Sequence, residues 1–451
     1  NNSNEGYAAV YNVAENTTIE FNGGKVVIAG TAAEDTFAAL TSGTAKIVFN
    51  DTEGDLTFVG AVCAINYGKD RYTFKTVAEA VAYAKDGETI VLLADLTTDA
   101  TLVVKEKKVT LDLNGKTLKN KKENTATDVI VVAEGATLTI NGEGKSTIEA
   151  VTGNDGYAVI SEGTVVINGG TFKAGVDVDG AANAVVYARK NGKVYVNGGN
   201  FPNESNSTFV LNKKDADRAT TTIEVRGGQF TAFDPANNAA EGANTNFCAL
   251  GYVSTANGDV YTVAAAALKP AAGVNDYAGA TLAIAAAPAD NGLVRPEAGD
   301  VTIKNLTIDG GNYSTTNGSG LRGIYITAGG EYTVDNVVVK NVTYAINVNT
   351  TADVTLNVAD STLEGWTSYG NSTTATFTNV KFECGAYANF KPYSSTTLTN
   401  CSFEDGFMID FTALNGVITL KNCTYNGTVL TAENFANIVV IDGDYTGKIA
   451  F

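Results

Sequence analysis

Short stretches of alternating apolar and polar residues recur along this chain, and each ends in an Asn-Gly or Gly-Gly corner. The clearest copies are 164–172, 193–201 and 222–230, with looser copies at 110–115 and 138–142. Their corner residues, 114, 141, 168, 197 and 226, are 27, 27, 29 and 29 residues apart. Alternation with a period of two predicts strands. A fixed period of this size predicts a solenoid, in which each turn buries its apolar face against its neighbours.

Two further copies precede this series, at 18–24 and 46–50, with Asn22 and Asn50 separated by 28 residues. Because two turns are too few to be stable alone, we expect an N-terminal β segment over 1–65 that depends on the repeats after it.

One short helix is predicted over 76–85. Thr76 and Glu79 form a capping-box pattern, and Val77, Val81 and Ala84 form an apolar stripe. Gly87 is suited to end the helix. A helix ahead of the first repeat can cover the open end of a solenoid, which favours a cap over an ordinary surface helix.

A second repeat series occupies 299–451. Its lead residues are 31, 24, 19, 21, 22 and 20 residues apart, and they are Asn305, Asn336, Asp360, Asn379, Asn400, Asn422 and Asp442. We expect a corner ladder of side-chain amides at these positions, with the residues one and three positions later pointing inward. Cys401 and Cys423 would then be buried free thiols on adjacent turns. The shorter period predicts a narrower second unit.

Between the two series, 266–298 is rich in alanine and contains Pro270, Pro288 and Pro296. We interpret it as a linker. The domain prediction is therefore an N-terminal β segment at 1–65, a first solenoid at 66–265 and a second at 299–451. One continuous solenoid interrupted at the linker is the alternative.

The first solenoid resembles the right-handed parallel β-helix modules of bacterial surface proteins, within the pectate-lyase-like superfamily. The resemblance lies in residues 76–93, in 111–118, in the Gly-Gly-x-Phe corners and in the closing stretch 251–263. It implies an all-β fold made of right-handed parallel β-helices. The superfamily includes polysaccharide-degrading enzymes, but the Asn-Thr-Asp, Asp-Asp and Gly-His-Gly motifs of its polygalacturonase-like members do not occur here. The resemblance therefore implies a fold and no activity.

Charge and composition narrow the function further. The net charge is −18, which disfavours nucleic acid and anionic membranes as partners. The sequence contains no run of 18 apolar residues, so it predicts no membrane-spanning helix. The chain has no histidine, so Ser-His-Asp and Cys-His catalysis and His-ligated metals are excluded.

One column in the second series could carry chemistry: Glu364, Glu383 and Glu404, with Asp405 beside the last. Stacked carboxylates repel unless they are splayed, protonated or bridged by a cation. They could bind Ca²⁺, the one cofactor we consider, or act as the acid pair of a glycosidase. Solvated corner glutamates are the alternative.

Aromatic residues cluster near this column, and they are Trp366, Tyr369, Tyr387, Phe390 and Tyr393. Exposed aromatics beside acids are typical of sugar sites, whereas the same residues could simply pack the loops onto the coil.

We expect a non-catalytic adhesion or glycan-binding protein, extracellular or exposed at a bacterial cell surface, where a lipid anchor would lie in a segment not present in this chain. Its partner would be a polysaccharide or a host-cell glycan. A glycoside hydrolase or lyase using the carboxylates of the second solenoid is the alternative, and a purely structural spacer is a third interpretation.

Overall fold

The computed structural model describes residues 18–22, 27–28, 46–50, 57–58, 61–67, 70–121, 128–151, 156–175, 184–203, 209–284, 292–311, 320–385 and 387–450. Strands dominate these residues, and they contain a single α-helix, so the all-β prediction is confirmed. Within these ranges, no helix has the length and apolar character needed to cross a bilayer. The chain divides into two compact units, Asn1–Cys248 with Ser254–Val263 and Ala249–Val253 with Ala264–Phe451.

The first unit contains the strands from β1 to β23, most of β24 and β25, and the helix α1. In chain order they are β1 (Thr18–Asn22), β2 (Val27–Ile28), β3 (Lys46–Asn50), β4 (Thr57–Phe58), β5 (Cys63–Tyr67), β6 (Asp70–Phe74), α1 (Val77–Tyr83), β7 (Thr89–Leu92), β8 (Leu96–Thr98), β9 (Leu102–Val104), β10 (Lys108–Asp112), β11 (Thr117–Asn120), β12 (Ile130–Val132), β13 (Thr137–Asn141), β14 (Thr147–Glu149), β15 (Val159–Ser161), β16 (Thr164–Ile167), β17 (Thr171–Lys173), β18 (Val186–Ala188), β19 (Lys193–Val196), β20 (Asn200–Phe201), β21 (Leu211–Lys213), β22 (Thr222–Val225), β23 (Gly228–Thr231), β24 (Tyr252–Asn257) and β25 (Val260–Ala265). A 3₁₀ turn at Asp215–Asp217 lies between β21 and β22.

From β7 onward, the chain passes through three sheets in turn. Three parallel rows begin at β7, β8 and β9. Each later strand, up to β23, lies parallel beside the strand three places earlier in the chain. The rows are β7-β10-β13-β16-β19-β22, β8-β11-β14-β17-β20-β23 and β9-β12-β15-β18-β21. Each strand is therefore hydrogen-bonded to its equivalent one repeat away. β25 closes the second row by pairing antiparallel with β23.

The Asn-Gly-Gly corners stack on one another. Asn168 Nδ2 donates to Asn141 Oδ1 at 2.9 Å, and Asn197 Nδ2 donates to Asn168 Oδ1 at 2.9 Å. Asn168 and Asn197, which follow the paired strands β16 and β19, are therefore direct neighbours. Both glycines after Asn197 are needed. A Cβ on Gly198 would lie 2.6 Å from the carbonyl oxygen of Asn168, and Gly199 has φ +111°.

The aromatic residue after each corner points into the core. Phe172, Phe201 and Phe230 are fully buried, and consecutive rings stack with centroids 5.2 and 4.7 Å apart. These spacings are close to the distance between neighbouring strands, about 4.8 Å. The Gly-Gly-x-Phe pattern therefore encodes both the corner and a column of the core.

The N-terminal segment belongs to the same sheet as β7. β1 pairs parallel with β3 in the register Asn22 to Asn50, which is the pairing that the 28-residue spacing predicts. The sheet continues from β3 through β6 and β5 to β7, with β5 antiparallel to β7.

The predicted helix is confirmed as α1, although it is shorter than 76–85. Thr76 Oγ1 accepts from the Glu79 N–H, and the Glu79 carboxylate accepts from the Thr76 N–H, which completes the capping box. Val77, Val81 and Ala84 are buried. The helix packs against β5, β6, β7 and β9, at the end where the three rows begin.

The second unit contains the strands from β26 to β44. They are β26 (Gly273–Ala283), β27 (Gly292–Val294), β28 (Val301–Asp309), β29 (Arg322–Ile326), β30 (Gly330–Lys340), β31 (Tyr344–Val348), β32 (Val354–Ala359), β33 (Thr362–Glu364), β34 (Trp366–Tyr369), β35 (Thr373–Thr378), β36 (Lys381–Glu383), β37 (Asn389–Pro392), β38 (Ser394–Thr399), β39 (Ser402–Phe403), β40 (Met408–Ile409), β41 (Asn415–Tyr425), β42 (Leu430–Thr431), β43 (Ile438–Asp444) and β44 (Ile449–Ala450), with a 3₁₀ segment at Ala432–Asn437.

Two parallel sheets make up most of this unit. A six-stranded sheet has the order β27-β29-β31-β34-β37-β40. An eleven-stranded sheet bends at the lead column, and its two arms are β26-β28-β30-β32-β35-β38-β41 and β33-β36-β39-β41, with β43 beside β41. Long strands such as β28, β30 and β41 run through the bend without interruption.

All seven lead residues have a left-handed backbone, with φ between 49° and 57°. Asn and Asp tolerate this conformation better than other residues with a side chain, which explains why only these two types occupy the column. The residues one position later, such as Leu306 and Val380, are buried, as predicted. Three positions after the lead residue, Ile308, Leu363 and Phe382 are fully buried, and Phe382 stacks on Phe403 at 4.7 Å.

The predicted amide ladder is present but interrupted. Asn336 donates to Asn305, and a second run leads from Asn422 to Asn400, then to Asn379 and Asp360, with Nδ2 to Oδ1 distances of 2.8 to 3.1 Å. In every link the later residue donates to the earlier one. The side chain of Asp360 has no N–H group to donate to Asn336, so the amide ladder breaks at this point.

The cysteine prediction is confirmed, because all five cysteines are free and Cys401 and Cys423 are buried. The linker prediction for 266–298 is wrong over much of its length. β26 occupies Gly273–Ala283 and pairs parallel with β28, so these residues begin the second unit's sheet. Small side chains can occupy a strand whose hydrogen bonds come from the backbone, and composition alone therefore misled the interpretation.

The amide ladder predicts different effects on stability for two substitutions at pH 7. Asn400→Asp keeps the tolerated backbone conformation but removes the donor to Asn379, so the free energy of unfolding should fall by about 1 kcal/mol. Asp360→Asn supplies the missing donor toward Asn336, so its free energy of unfolding should not fall. Urea denaturation measures both. Equal losses in the two variants would contradict a directional ladder.

Candidate ligand-binding face

The three glutamates lie on, or directly after, three strands that pair side by side in the second unit. Glu364 pairs in register with Glu383, and the pairing of Phe382 with Phe403 puts Glu404 next in the same column. They lie where the strands of the eleven-stranded sheet end, just before the chain turns into the six-stranded sheet.

Each carboxylate has its own protein partner. Glu364 Oε1 accepts from the backbone N–H of Asn341 at 3.2 Å, and Glu404 Oε2 accepts from the backbone N–H of Cys384 at 2.7 Å. Glu383 pairs with Lys381 on its own strand. Asp405 is largely exposed and pairs with Lys448 at 3.2 Å.

Two of these carboxylates, those of Glu364 and Glu404, satisfy backbone N–H groups at the corner. Asn341 has φ +56°, and its side chain donates to Asp309 at 2.8 Å while its N–H bonds to Glu364. Burial acts to raise the pKa of Asp309, but hydrogen bonds from Asn341, Gly311 and Lys340 hold it below its usual value. Among the described residues, no three acidic or cysteine side chains are grouped to hold a metal ion.

The predicted sugar-stacking residues fall into two groups. Tyr369 and Phe390 are buried in the core, so their assignment to a sugar site is wrong. Both lie on strands, where alternation turns them inward, and burial raises the pKa of the Tyr369 hydroxyl. Trp366 and Tyr393 are half-buried, and Tyr387 is 44% exposed.

Trp366 belongs to an outward-facing column of the six-stranded sheet. Arg322 pairs with Tyr344 and Tyr344 with Trp366, each one turn further along. A second outward column lies beside it and contains Tyr325, Asn347, Ser368 and Lys391.

Cations and aromatic rings alternate across these columns and continue one turn back to Arg295. The Arg295 guanidinium lies 5.7 Å from the Tyr325 ring centroid, and Arg322 lies 4.6 Å from Tyr325 and 5.2 Å from Tyr344. Tyr344 stacks on Trp366 with centroids 4.9 Å apart and planes 10° from parallel. We call Arg295, Tyr325, Arg322, Tyr344 and Trp366 the arginine–aromatic ladder.

The stacking determines which parts of the rings a ligand can meet. The centroid spacing of Tyr344 and Trp366 matches the strand spacing, so the rings stack along the sheet and cover one another's faces. A ligand can therefore reach the parts of these rings that the neighbouring ring does not cover. The Trp366 indole nitrogen is buried, and the Tyr325 hydroxyl accepts from Asn349 Nδ2 at 3.1 Å.

Lys391 and Arg322, two cationic residues of this face, differ in the charge of their partners. Lys391 forms an ion pair with Asp410 at 2.9 Å, and this contact raises the pKa of Lys391. Arg322 instead bonds to neutral acceptors, with Nε donating to Asn347 Oδ1 at 2.9 Å and Nη1 to the Gly320 carbonyl at 2.8 Å.

A cavity of about 330 Å³ lies in the first unit, beside the first turn of α1. Apolar and threonine side chains line much of it, including Val77, Leu102 and Thr98. It contains one carboxylate, that of Asp99, which pairs with Lys121. The acid pair that a glycosidase requires is therefore not formed by the residues that line this cavity.

Comparison of the chain with protein-family models, with curated proteins and with solved structures finds no match. The site has therefore to be interpreted from its own geometry.

Sequence reasoning missed the ladder because it followed the corner residues instead of the strands after them. Arg322, Tyr344 and Trp366 follow one another at intervals of 22 residues, a spacing that was visible in the sequence. Aligning the strands on this interval would have shown the column. It would also have assigned Tyr369 to the core, three residues after Trp366 on the opposite face.

The glutamate contacts predict how substitutions affect stability. Glu364→Ala removes the acceptor for the Asn341 N–H and should lower the free energy of unfolding by about 1–3 kcal/mol. Glu364→Gln retains an acceptor oxygen and should cost less, and Glu383→Ala should cost less than about 1 kcal/mol because its ion pair is exposed. Thermal denaturation measures these changes in stability, and repeating it with Ca²⁺ tests whether the glutamate column binds the metal. A melting temperature that rises with Ca²⁺ and no longer rises in Glu383→Gln would contradict this structural role.

Proposed function

We propose that both units are right-handed parallel β-helices and that the protein is a non-catalytic, extracellular or cell-surface glycan-binding protein. The regular passage of the first unit's chain through three parallel rows supports the fold assignment. So does the in-register stacking of equivalent residues in the second unit. Such bodies present long, rigid faces, which suits adhesion to a polysaccharide or a host-cell glycan.

The arginine–aromatic ladder carries the proposal for binding. It provides guanidinium groups and half-buried aromatic rings on one outward face, with the Asn347 amide and the Ser368 hydroxyl in the neighbouring column. Polar groups at fixed spacing beside apolar ring atoms suit a saccharide, which has both hydroxyl groups and C–H surfaces. Because the ladder is held by parallel strands, a ligand would meet it without reordering a loop.

The carboxylate contacts favour binding over catalysis. A glycosidase needs two carboxylates facing each other across the scissile bond, one of them free to donate a proton. Glu364 and Glu404 instead accept backbone N–H groups at separate corners, and Glu383 pairs with Lys381. These contacts support a structural role for the column.

A glycan array probed with the full chain tests the proposal, followed by calorimetric titration of the saccharides that bind. Tyr344→Ala should weaken binding by about tenfold, because it removes the ring between Arg322 and Trp366. Tyr195→Ala is the matched control, since Tyr195 also lies beneath an arginine, Arg226, on an outward face of the first unit. It should leave the affinity unchanged.

Three results would overturn the proposal. The first is an array without any bound saccharide, and the second is an equal loss of affinity in Tyr344→Ala and Tyr195→Ala. The third is the release of new reducing ends from a bound polysaccharide, abolished by Glu364→Gln, which would establish the enzymatic alternative.

A further inference from the structure

Arg322 lies at the centre of the arginine–aromatic ladder and is held there by four neutral neighbouring groups. The rings of Tyr325 and Tyr344 lie on either side of its guanidinium, and Asn347 and the Gly320 carbonyl accept two of its N–H groups. A guanidinium has five N–H donors, so three remain after these two bonds. The neighbouring groups fix its orientation and leave donors for another partner.

The partners of Arg322 differ from those of other arginines in the protein. Arg189 pairs with Glu162 at 2.6 Å, Arg218 with Glu241 at 2.7 Å and Arg226 with Glu224 at 2.6 Å. Within the described ranges, no carboxylate lies at ion-pair distance from Arg322. Arg189, Arg218 and Arg226 are thus paired with carboxylates, whereas Arg322 lies between aromatic rings and neutral acceptors.

A further hydrogen-bond donor lies beside Arg322. The Asn347 amide oxygen accepts from Arg322, which leaves its NH₂ group as a donor. A half-buried cation among donors is stabilised by an anion that accepts from it.

We propose that the saccharide bound at the ladder is acidic, carrying a carboxylate or a sulfate group that accepts hydrogen bonds from Arg322. This inference rests on the proposed glycan-binding function and specifies its ligand class. Uronic acids and sulfated sugars share the required chemistry, which is a planar or tetrahedral oxyanion on a sugar ring. The guanidinium fork can bind either group through two oxygens.

The experiment is a calorimetric titration of the full chain with three probes: an oligogalacturonide, a sulfated galactan oligosaccharide that contains no uronic acid, and a neutral cello-oligosaccharide. We expect one of the acidic probes to bind more tightly than the neutral probe, with an affinity that falls as salt is added. The comparison of the two acidic probes distinguishes carboxylate from sulfate recognition.

Variants of Arg322 test the residue itself. Arg322→Gln should weaken binding of the acidic probe by about tenfold or more, since it removes a charge-assisted hydrogen bond. Arg322→Lys keeps the charge without the fork and should bind with intermediate affinity. The matched control is Arg226→Gln, which removes an arginine that also lies over a tyrosine ring but is already paired with Glu224. It should bind like the unsubstituted protein.

The outcomes separate this inference from the function on which it rests. Equal, salt-independent binding of neutral and acidic probes, unchanged in Arg322→Gln, would overturn the acidic ligand and leave glycan binding intact. Failure of every saccharide to bind would overturn both. If Arg322→Gln does not fold, the salt dependence of the unsubstituted protein and the affinity of Arg322→Lys decide the question.

Discussion

In-register stacking of parallel strands is the constraint on which the rest of this structure depends. Once the backbone of one turn hydrogen-bonds to the next, residues at equivalent positions lie about 4.8 Å apart, and every side chain must tolerate a near-copy of itself above and below. Asparagine meets this requirement at the corners, because it accepts a left-handed backbone and both donates and accepts along the column. Phenylalanine meets it in the core by stacking, as Phe172, Phe201 and Phe230 do.

The same constraint limits what chemistry a column can carry. Like charges repeated at the strand spacing repel one another, so a column of acids needs separate partners. Glu364 and Glu404 find these partners in backbone N–H groups, and Glu383 finds one in Lys381. On the six-stranded sheet, repulsion between arginines is avoided because each guanidinium lies against an aromatic ring. The face that results is ordered by the fold itself, and this is why we interpret it as the binding surface.

The sequence predicted best the features that corner geometry demands. The lead column from Asn305 to Asp442 and the buried positions after it follow from a repeated left-handed residue, which few residue types can satisfy. The candidate site was predicted less well, because the corner repeats do not show which way the residues of the following strands face. Trp366, Tyr369 and Phe390 lie on β34 and β37, where alternation turns Tyr369 and Phe390 inward and Trp366 outward. The β26 strand was mistaken for a linker for a related reason, since parallel pairing depends on the backbone and leaves little mark on an alanine-rich composition.

Distance measurement between spin labels tests the stacking most directly. Thr333, Thr376, Thr397 and Thr419 belong to one outward column of the eleven-stranded sheet. The last three lie two, three and four strands from Thr333. Labels attached through a ketone-bearing amino acid leave the native cysteines unchanged. Electron paramagnetic resonance of the three pairs that include position 333 should give distances that increase by about 4.8 Å with each added strand. Distances that fail to increase from one pair to the next would contradict the account.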